Sequence, residues 1–244
     1  MKALVTRPEE DAAPLARALI ERDIETQLAP MLRIVPAAGA EKRLAEALAG
    51  VQALLFTSAN GARAFARASK RRELPVFAVG DATAAAARLA DFRSVASAGG
   101  DVDDLAALVA ARLSPDRGAL LHAAGSATAG DLAATLGRQG FTLRRVVLYE
   151  SQPAEALPPE VAEALTRGEV AWALFFSPRT AAGFVRLAAA AGLAPAARAV
   201  TALALSPAVA AALAPLAWRQ VLVAAAPTQA DLLAALDAQR SKGA

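Results

Sequence analysis

Leu54-Leu55-Phe56-Thr57-Ser58, followed by Ala59-Asn60-Gly61-Ala62-Arg63-Ala64-Phe65, decides the fold. An apolar run ends on two hydroxyls, and the chain then changes from strand-like to helical spacing. Serine at such a junction can accept from the free N–H groups of the helix it opens. The pattern returns as Leu174-Phe175-Phe176-Ser177 leading to Phe184. Working outward, Val79-Gly80-Asp81-Ala82-Thr83 matches Leu205-Ser206-Pro207-Ala208-Val209, and Asp101-Val102-Asp103-Asp104-Leu105 matches Thr228-Gln229-Ala230-Asp231-Leu232. Ala3-Leu4-Val5 with Leu15 and Leu19 matches Ala119-Leu120-Leu121 with Leu132 and Leu136. Matching units in the same order in both halves predict two similar α/β domains.

The rest of the chain keeps that alternation. Strands are expected at 3–6, 26–29, 53–57, 76–79, 119–122, 145–148, 173–176, 201–205 and 221–224. Helices are expected at 11–22, 59–68, 82–89, 102–113, 128–139, 179–191, 208–213 and 229–239, with a frayed tail from Gln239. Strands alternating with helices read as parallel sheets flanked by helices. Composition alone favours one cut near residue 115.

Composition narrows the chemistry. There are no cysteines and one histidine, His122. Disulfides, thiolate nucleophiles, iron–sulfur clusters and multi-histidine metal sites are therefore not expected, and neither is any cofactor. The net charge is +3 with basic residues scattered, apart from Lys70-Arg71-Arg72 and Arg144-Arg145. That is a weak nucleic-acid footprint, and a mildly basic surface suits a small polyanion. No apolar run is long enough to span a membrane, and no signal peptide is recognisable at the start, so a cytoplasmic protein is expected; a monomer is the expected assembly. The glycines at Gly80 and Gly99-Gly100 are too sparse for a phosphate-binding loop or a dinucleotide fingerprint.

In parallel α/β sheets, ligands meet the loops at the carboxyl ends of the strands. Here those loops hold Arg7, Thr57, Ser58, Thr83, Gly125, Ser126, Ser177, Pro178, Arg179, Ser206 and Thr228. Each hydroxyl reads singly as a helix cap. Together, several helix N-termini facing one cleft between two domains would offer N–H donors and positive dipole ends to carboxylates. Arg7 and Arg179 read either as forks for a carboxylate or as solvated surface. Tyr149, the one tyrosine, reads either as a half-buried strand residue or as a proton donor at a cleft rim. His122 reads as a hydrogen-bonded structural residue. A non-catalytic, two-lobed binder of small anions would use the same loops.

Several of these strings, in order along the chain, resemble the uroporphyrinogen-III synthases. They are Leu4-Val5-Thr6-Arg7-Pro8, Phe56-Thr57-Ser58-Ala59-Asn60-Gly61, Val79-Gly80-Asp81-Ala82-Thr83, Val147-Leu148-Tyr149-Glu150, Phe175-Phe176-Ser177-Pro178 and Pro227-Thr228. The resemblance implies two α/β domains joined by a two-stranded linker. It assigns 1–35 with 152–244 to one domain and 36–151 to the other, with linkers at 30–36 and 148–153. It implies cyclisation of hydroxymethylbilane, with ring D inverted and water lost, by a lyase of tetrapyrrole and heme biosynthesis. Tyr149 corresponds to a cleft tyrosine proposed to assist departure of the hydroxyl. Thr83 corresponds to a cleft threonine, and Ser58 and Ser177 to substrate-contacting residues. The turn Ser206-Pro207-Ala208-Val209 departs from the hydroxyl-rich turn common in that family.

Overall fold

The computed structural model describes residues 1–127 and 131–241. The chain divides into two compact units, one of 1–33 with 152–244 and one of 34–151. The first unit is thus two segments and the second is one. No single cut near residue 115 produces this.

The first unit carries β1 (Lys2–Val5), α1 (Glu9–Ile20) and β2 (Glu25–Leu28) before the chain leaves through β3 (Leu32–Pro36). The second is built from α2 (Ala40–Ala47), β4 (Val51–Phe56), α3 (Ala59–Ala68), β5 (Val76–Ala78) and α4 (Asp81–Leu89). It continues with β6 (Val95–Ser97), α5 (Val102–Arg112), β7 (Ala119–Gly125) and α6 (Leu132–Arg138). The chain returns along β8 (Leu143–Pro153). It then completes the first unit with α7 (Pro159–Thr166), β9 (Val170–Phe175), α8 (Pro178–Ala190), β10 (Thr201–Ala204), α9 (Pro207–Leu213), β11 (Gln220–Val223) and α10 (Gln229–Ser241).

The sheet orders are β11-β10-β9-β1-β2 and β3-β8-β7-β4-β5-β6. Read outward from β9 and β4, the order of the first sheet recurs in the second, with β3 added at its edge, so the sequence repeat is a repeat of topology. β1, β2 and β9–β11 are parallel throughout, as are β4–β8. At the crossings, Ala154 N–H donates to Met31 C=O within the first unit. Within the second, Ala37 N–H donates to Leu148 C=O. Partner numbers fall along β8 as β3 rises, the order of antiparallel strands.

Strand alternation explains the layers, because a period of two sends neighbours to opposite faces. Leu54 and Phe56 join α2, α3 and α4 in one core, while Ala53 and Leu55 join α5 and α6 in another. In the first unit Leu4 packs with α7–α9, whereas Ala3 and Val5 pack with α1 and α10. The repeated phenylalanines do matching work. Phe56 and Phe65 meet edge to face at 5.9 Å, and Phe175 and Phe184 at 5.4 Å. Phe92 completes one trio and Trp218 the other.

Four elements escape the sequence patterns. β6 is a three-residue edge strand with no fully buried side chain. α2 presents a charged run with only Ala40 and Leu44 buried, entered from a left-handed Gly39. α7 begins at Pro159 with Pro158 as its cap, a pair that marks a helix start here, since proline at the first helical position loses no hydrogen bond. β3 lies in the proline-bounded stretch read as linker. β8 is eleven residues long, extending well beyond 145–148. The expected helix start at Thr128 lies outside the described residues, and α6 is capped by Asp131, which accepts from Ala134 N–H. The tail is helical to Ser241, and 242–244 lie outside the described residues. No helix among the described residues is long and apolar enough to cross a membrane.

Candidate active site

Parallel strands put the loops after β4, β5 and β7 along one edge of the second sheet, and there a cluster forms around Tyr149 of β8. A register shift sets it up. Ala124 pairs with Val147, but Gly125 pairs with Tyr149, so β8 carries one extra residue at this point. A bulge of this kind re-aims the side chains beyond it. The ring of Tyr149 is buried over Gly125, where a Cβ would lie 2.7 Å from Cζ and 2.9 Å from the hydroxyl oxygen. Only glycine leaves that space. Ser126 N–H then donates to Tyr149 C=O at 3.0 Å.

The Tyr149 hydroxyl lies 2.8 Å from Ser58 Oγ. Ser58 also caps α3, accepting from Gly61 N–H at 3.0 Å. Gly61 is a second close approach, because a Cβ there would sit 2.6 Å from Ala123 C=O. Thr57, one residue earlier, bonds His122 Nε2 at 2.9 Å. Burial, assisted by the charge of Arg145, pushes the His122 pKa down to about 4. The imidazole is therefore neutral near pH 7. Arg145 donates to Gly125 C=O at 2.5 Å and to Ser126 C=O at 3.3 Å, tying down the end of β7. Thr57, Ser58, Gly125, Ser126 and Tyr149 thus belong to one bonded group.

Thr83 stands apart from it. It is buried in the first turn of α4, whose cap position is Gly80 and which receives no side-chain cap. The equivalent turn of α9 has Ser206 accepting from Val209 N–H at 3.4 Å. The α4 N-terminus, in whose first turn Thr83 lies, thus keeps N–H donors without a side-chain cap, the arrangement that favours an anion.

In the first unit the focus is Arg7, just past the end of β1. Its guanidinium stacks on Phe176 at 3.6 Å from the ring centroid, and Nη1 donates to Gln229 Oε1 at 3.2 Å. Burial lowers its pKa, with Asp11 opposing, yet arginine stays charged at any physiological pH. Stacking and the glutamine fix the plane of the fork. Arg7 therefore touches the residue before Ser177 and the residue after Thr228. Ser177 caps α8, accepting from Thr180 N–H at 3.2 Å. Thr228 accepts from Asp231 N–H at 3.1 Å and donates to its carboxylate. Pro178 and Arg179 lie in the first turn of α8, with Arg179 exposed. Ser177, Ser206 and Thr228 each bond within their own helix start.

Sequence reasoning missed Gly61, Arg145, Phe176 and Gln229. Gly61 and Phe176 stood inside strings already singled out. Arg145 was hidden in a basic pair, and Gln229 stood inside the repeated string that opens α10.

No curated protein sequence matches the chain. It is similar in fold to a mutant uroporphyrinogen III synthase from the extreme thermophile Thermus thermophilus, at 20% identity and a TM-score of 0.53 over 99% of this chain and 98% of that one. It is also similar to a uroporphyrinogen-III synthetase from Helicobacter pylori, at 16% identity and a TM-score of 0.61, covering 98% and 99%. At such identities the two structures speak for the fold. The family itself rests on sequence: residues 13–234 match the family model described as "Uroporphyrinogen-III synthase HemD". The chain belongs to the uroporphyrinogen-III synthase family and is a lyase of that kind.

Proposed function

We propose that this enzyme converts hydroxymethylbilane to uroporphyrinogen III with Tyr149 as the proton donor. The hydroxyl pair of Tyr149 and Ser58, 2.8 Å apart and seated on Gly125, carries the reading. Loss of the terminal hydroxyl of the bilane leaves an azafulvene cation. A proton delivered from Tyr149 lets that hydroxyl depart as water. Ser58 Oγ, already accepting from Gly61 N–H, can pass a proton back to the tyrosine oxygen. Attack on the cation through a spiro intermediate inverts ring D, and the proton lost on closure balances the one supplied.

Because the bilane also cyclises unaided to the uninverted isomer, the protein's main task is to select a conformation, which is catalysis by positioning. Eight carboxylates give it handles. In this reading the α4 N-terminus with Thr83, the Thr57-Ser58 turn and Gly125-Ser126 hold some of them. Arg7, Arg179 and the turns at Ser177-Pro178, Ser206 and Thr228 hold others. The exposed side chains of Thr228 and Arg179 can rearrange on a carboxylate, whereas Arg7 is already fixed in plane. In this reading the enzyme works as a cytoplasmic monomer, without a cofactor, a nucleic acid or a membrane.

Turnover of hydroxymethylbilane by Tyr149→Phe tests the assignment. A loss of about 10²-fold in kcat, with the fold intact, is expected for removal of a general acid. Wild-type turnover would remove Tyr149 from the mechanism.

A further inference from the structure

His122 lies on β7 among Ala119-Leu120-Leu121 and Ala123-Ala124-Gly125, and it is 5% exposed. A polar ring in such a strand costs free energy unless hydrogen-bonded, and leucine would pack there with nothing to satisfy. Its Nε2 bonds Thr57 Oγ1 at 2.9 Å. Thr57 is the first residue after β4 and immediately precedes Ser58. His122 faces Leu55 across the strands, so the bond reaches diagonally to the turn itself.

Two further contacts come from the same short segment. Ala123 C=O lies so close to Gly61 that a Cβ there would approach to 2.6 Å, which fixes the start of α3. Gly125 seats the ring of Tyr149. Residues 122–125 therefore locate both partners of the Ser58–Tyr149 bond, and of these three contacts only that of His122 uses a side chain of the segment. A displacement of the turn by about 1 Å would take a 2.8 Å hydrogen bond out of range.

We propose that His122 is a positioning residue for the Tyr149–Ser58 hydroxyl pair, acting through Thr57. It touches no substrate and transfers no proton; its hydrogen bond sets where the β4–α3 turn stands. Because it is held neutral, it does this without placing a charge beside the cation formed in the reaction. The inference rests on the reading of Tyr149 as proton donor.

The test measures kcat, KM and thermal unfolding for His122→Gln, His122→Phe and Thr57→Val, each with and without Tyr149→Phe. His122→Phe should lower kcat about ten-fold while KM stays within about two-fold, as misplacement of a reacting group does. Thr57→Val, which also alters the carboxylate-holding turn, should lower kcat similarly and raise KM as well. Glutamine, which returns a hydrogen-bonding group, should recover most of the loss. In the Tyr149→Phe background His122→Phe should have little further effect, because residues acting as a unit are non-additive. Should His122→Phe fail to fold, the kcat of Thr57→Val with and without Tyr149→Phe carries the comparison, since it removes the same hydrogen bond. Wild-type kcat in the folded variants would overturn the proposal. So would a loss that persists undiminished without the tyrosine hydroxyl, or one that glutamine does not relieve. If Tyr149→Phe alone turns over normally, the underlying reading fails first and is recognised by that single variant.

Discussion

Gly125 and Tyr149 are fitted to one another: a Cβ at 125 would lie within 2.9 Å of three atoms of the tyrosine side chain. Across the bulge that pairs them, the absence of a side chain on β7 fixes the height of the ring on β8. The expectation that Gly125 serves the substrate directly thus acquires a second, simpler reason for glycine there.

Gly125→Ala should accordingly act as a mild version of losing the tyrosine. The ring must move, and its bond to Ser58 lengthens. A fall in kcat of about ten-fold with stability reduced by about 1–3 kcal/mol is expected, as for overpacking. Steady-state kinetics and chemical denaturation measure the two together.

Arg7 makes a different kind of contribution. Its stack on Phe176 and its bond to Gln229 prepare a planar fork, which lysine cannot reproduce. Arg7→Lys should raise KM about ten-fold and leave kcat largely unchanged, because a charged hydrogen bond to a carboxylate is worth about 1.5–3 kcal/mol. Phe176→Leu, which removes the stack and keeps the charge, should show a weaker shift in the same direction.

The buried histidine gives the protein a pH signature. Its folded pKa, about 4, lies below the ordinary 6.5, so the unfolded chain binds more protons between those values. Stability contributed by the neutral ring is complete above about pH 6.5 and is lost progressively as pH falls towards 4. The displacement corresponds to about 3 kcal/mol at most. Denaturant midpoints measured from pH 7 to pH 4 should fall steeply in the wild type and less so in His122→Gln.

The two aromatic trios should be equally costly to disrupt. Phe65→Ala and Phe184→Ala each remove a fully buried ring, and each should destabilise its own unit by about 3–5 kcal/mol. Circular dichroism during denaturation reads both losses.

Much of the fold was legible because hydrophobic period and hydroxyl-to-helix junctions repeat: Leu54–Phe65 and Leu174–Phe184 announce the same strand, turn and helix twice. The edge elements were not legible. Val95–Ser97 is too short for a pattern, and the polar face of Ala40–Ala47 resembles a loop. At the site, hydroxyls at strand ends were visible, since capping chemistry selects serine and threonine. What they bond was not. The Thr57–His122 and Ser58–Tyr149 pairs join residues 65 and 91 apart in sequence, which only the sheet brings together. Space is equally silent in a sequence, and the need for glycine at 61 and 125 comes from atoms on another strand.

The central claim is that this chain closes the bilane with ring D inverted. Incubation with hydroxymethylbilane, followed by chromatographic separation of the uroporphyrinogen isomers, tests it most directly. Uroporphyrinogen III as the dominant product, formed faster than the spontaneous isomer in a protein-free control, is the predicted result. Only the uninverted isomer, at the protein-free rate, would contradict it.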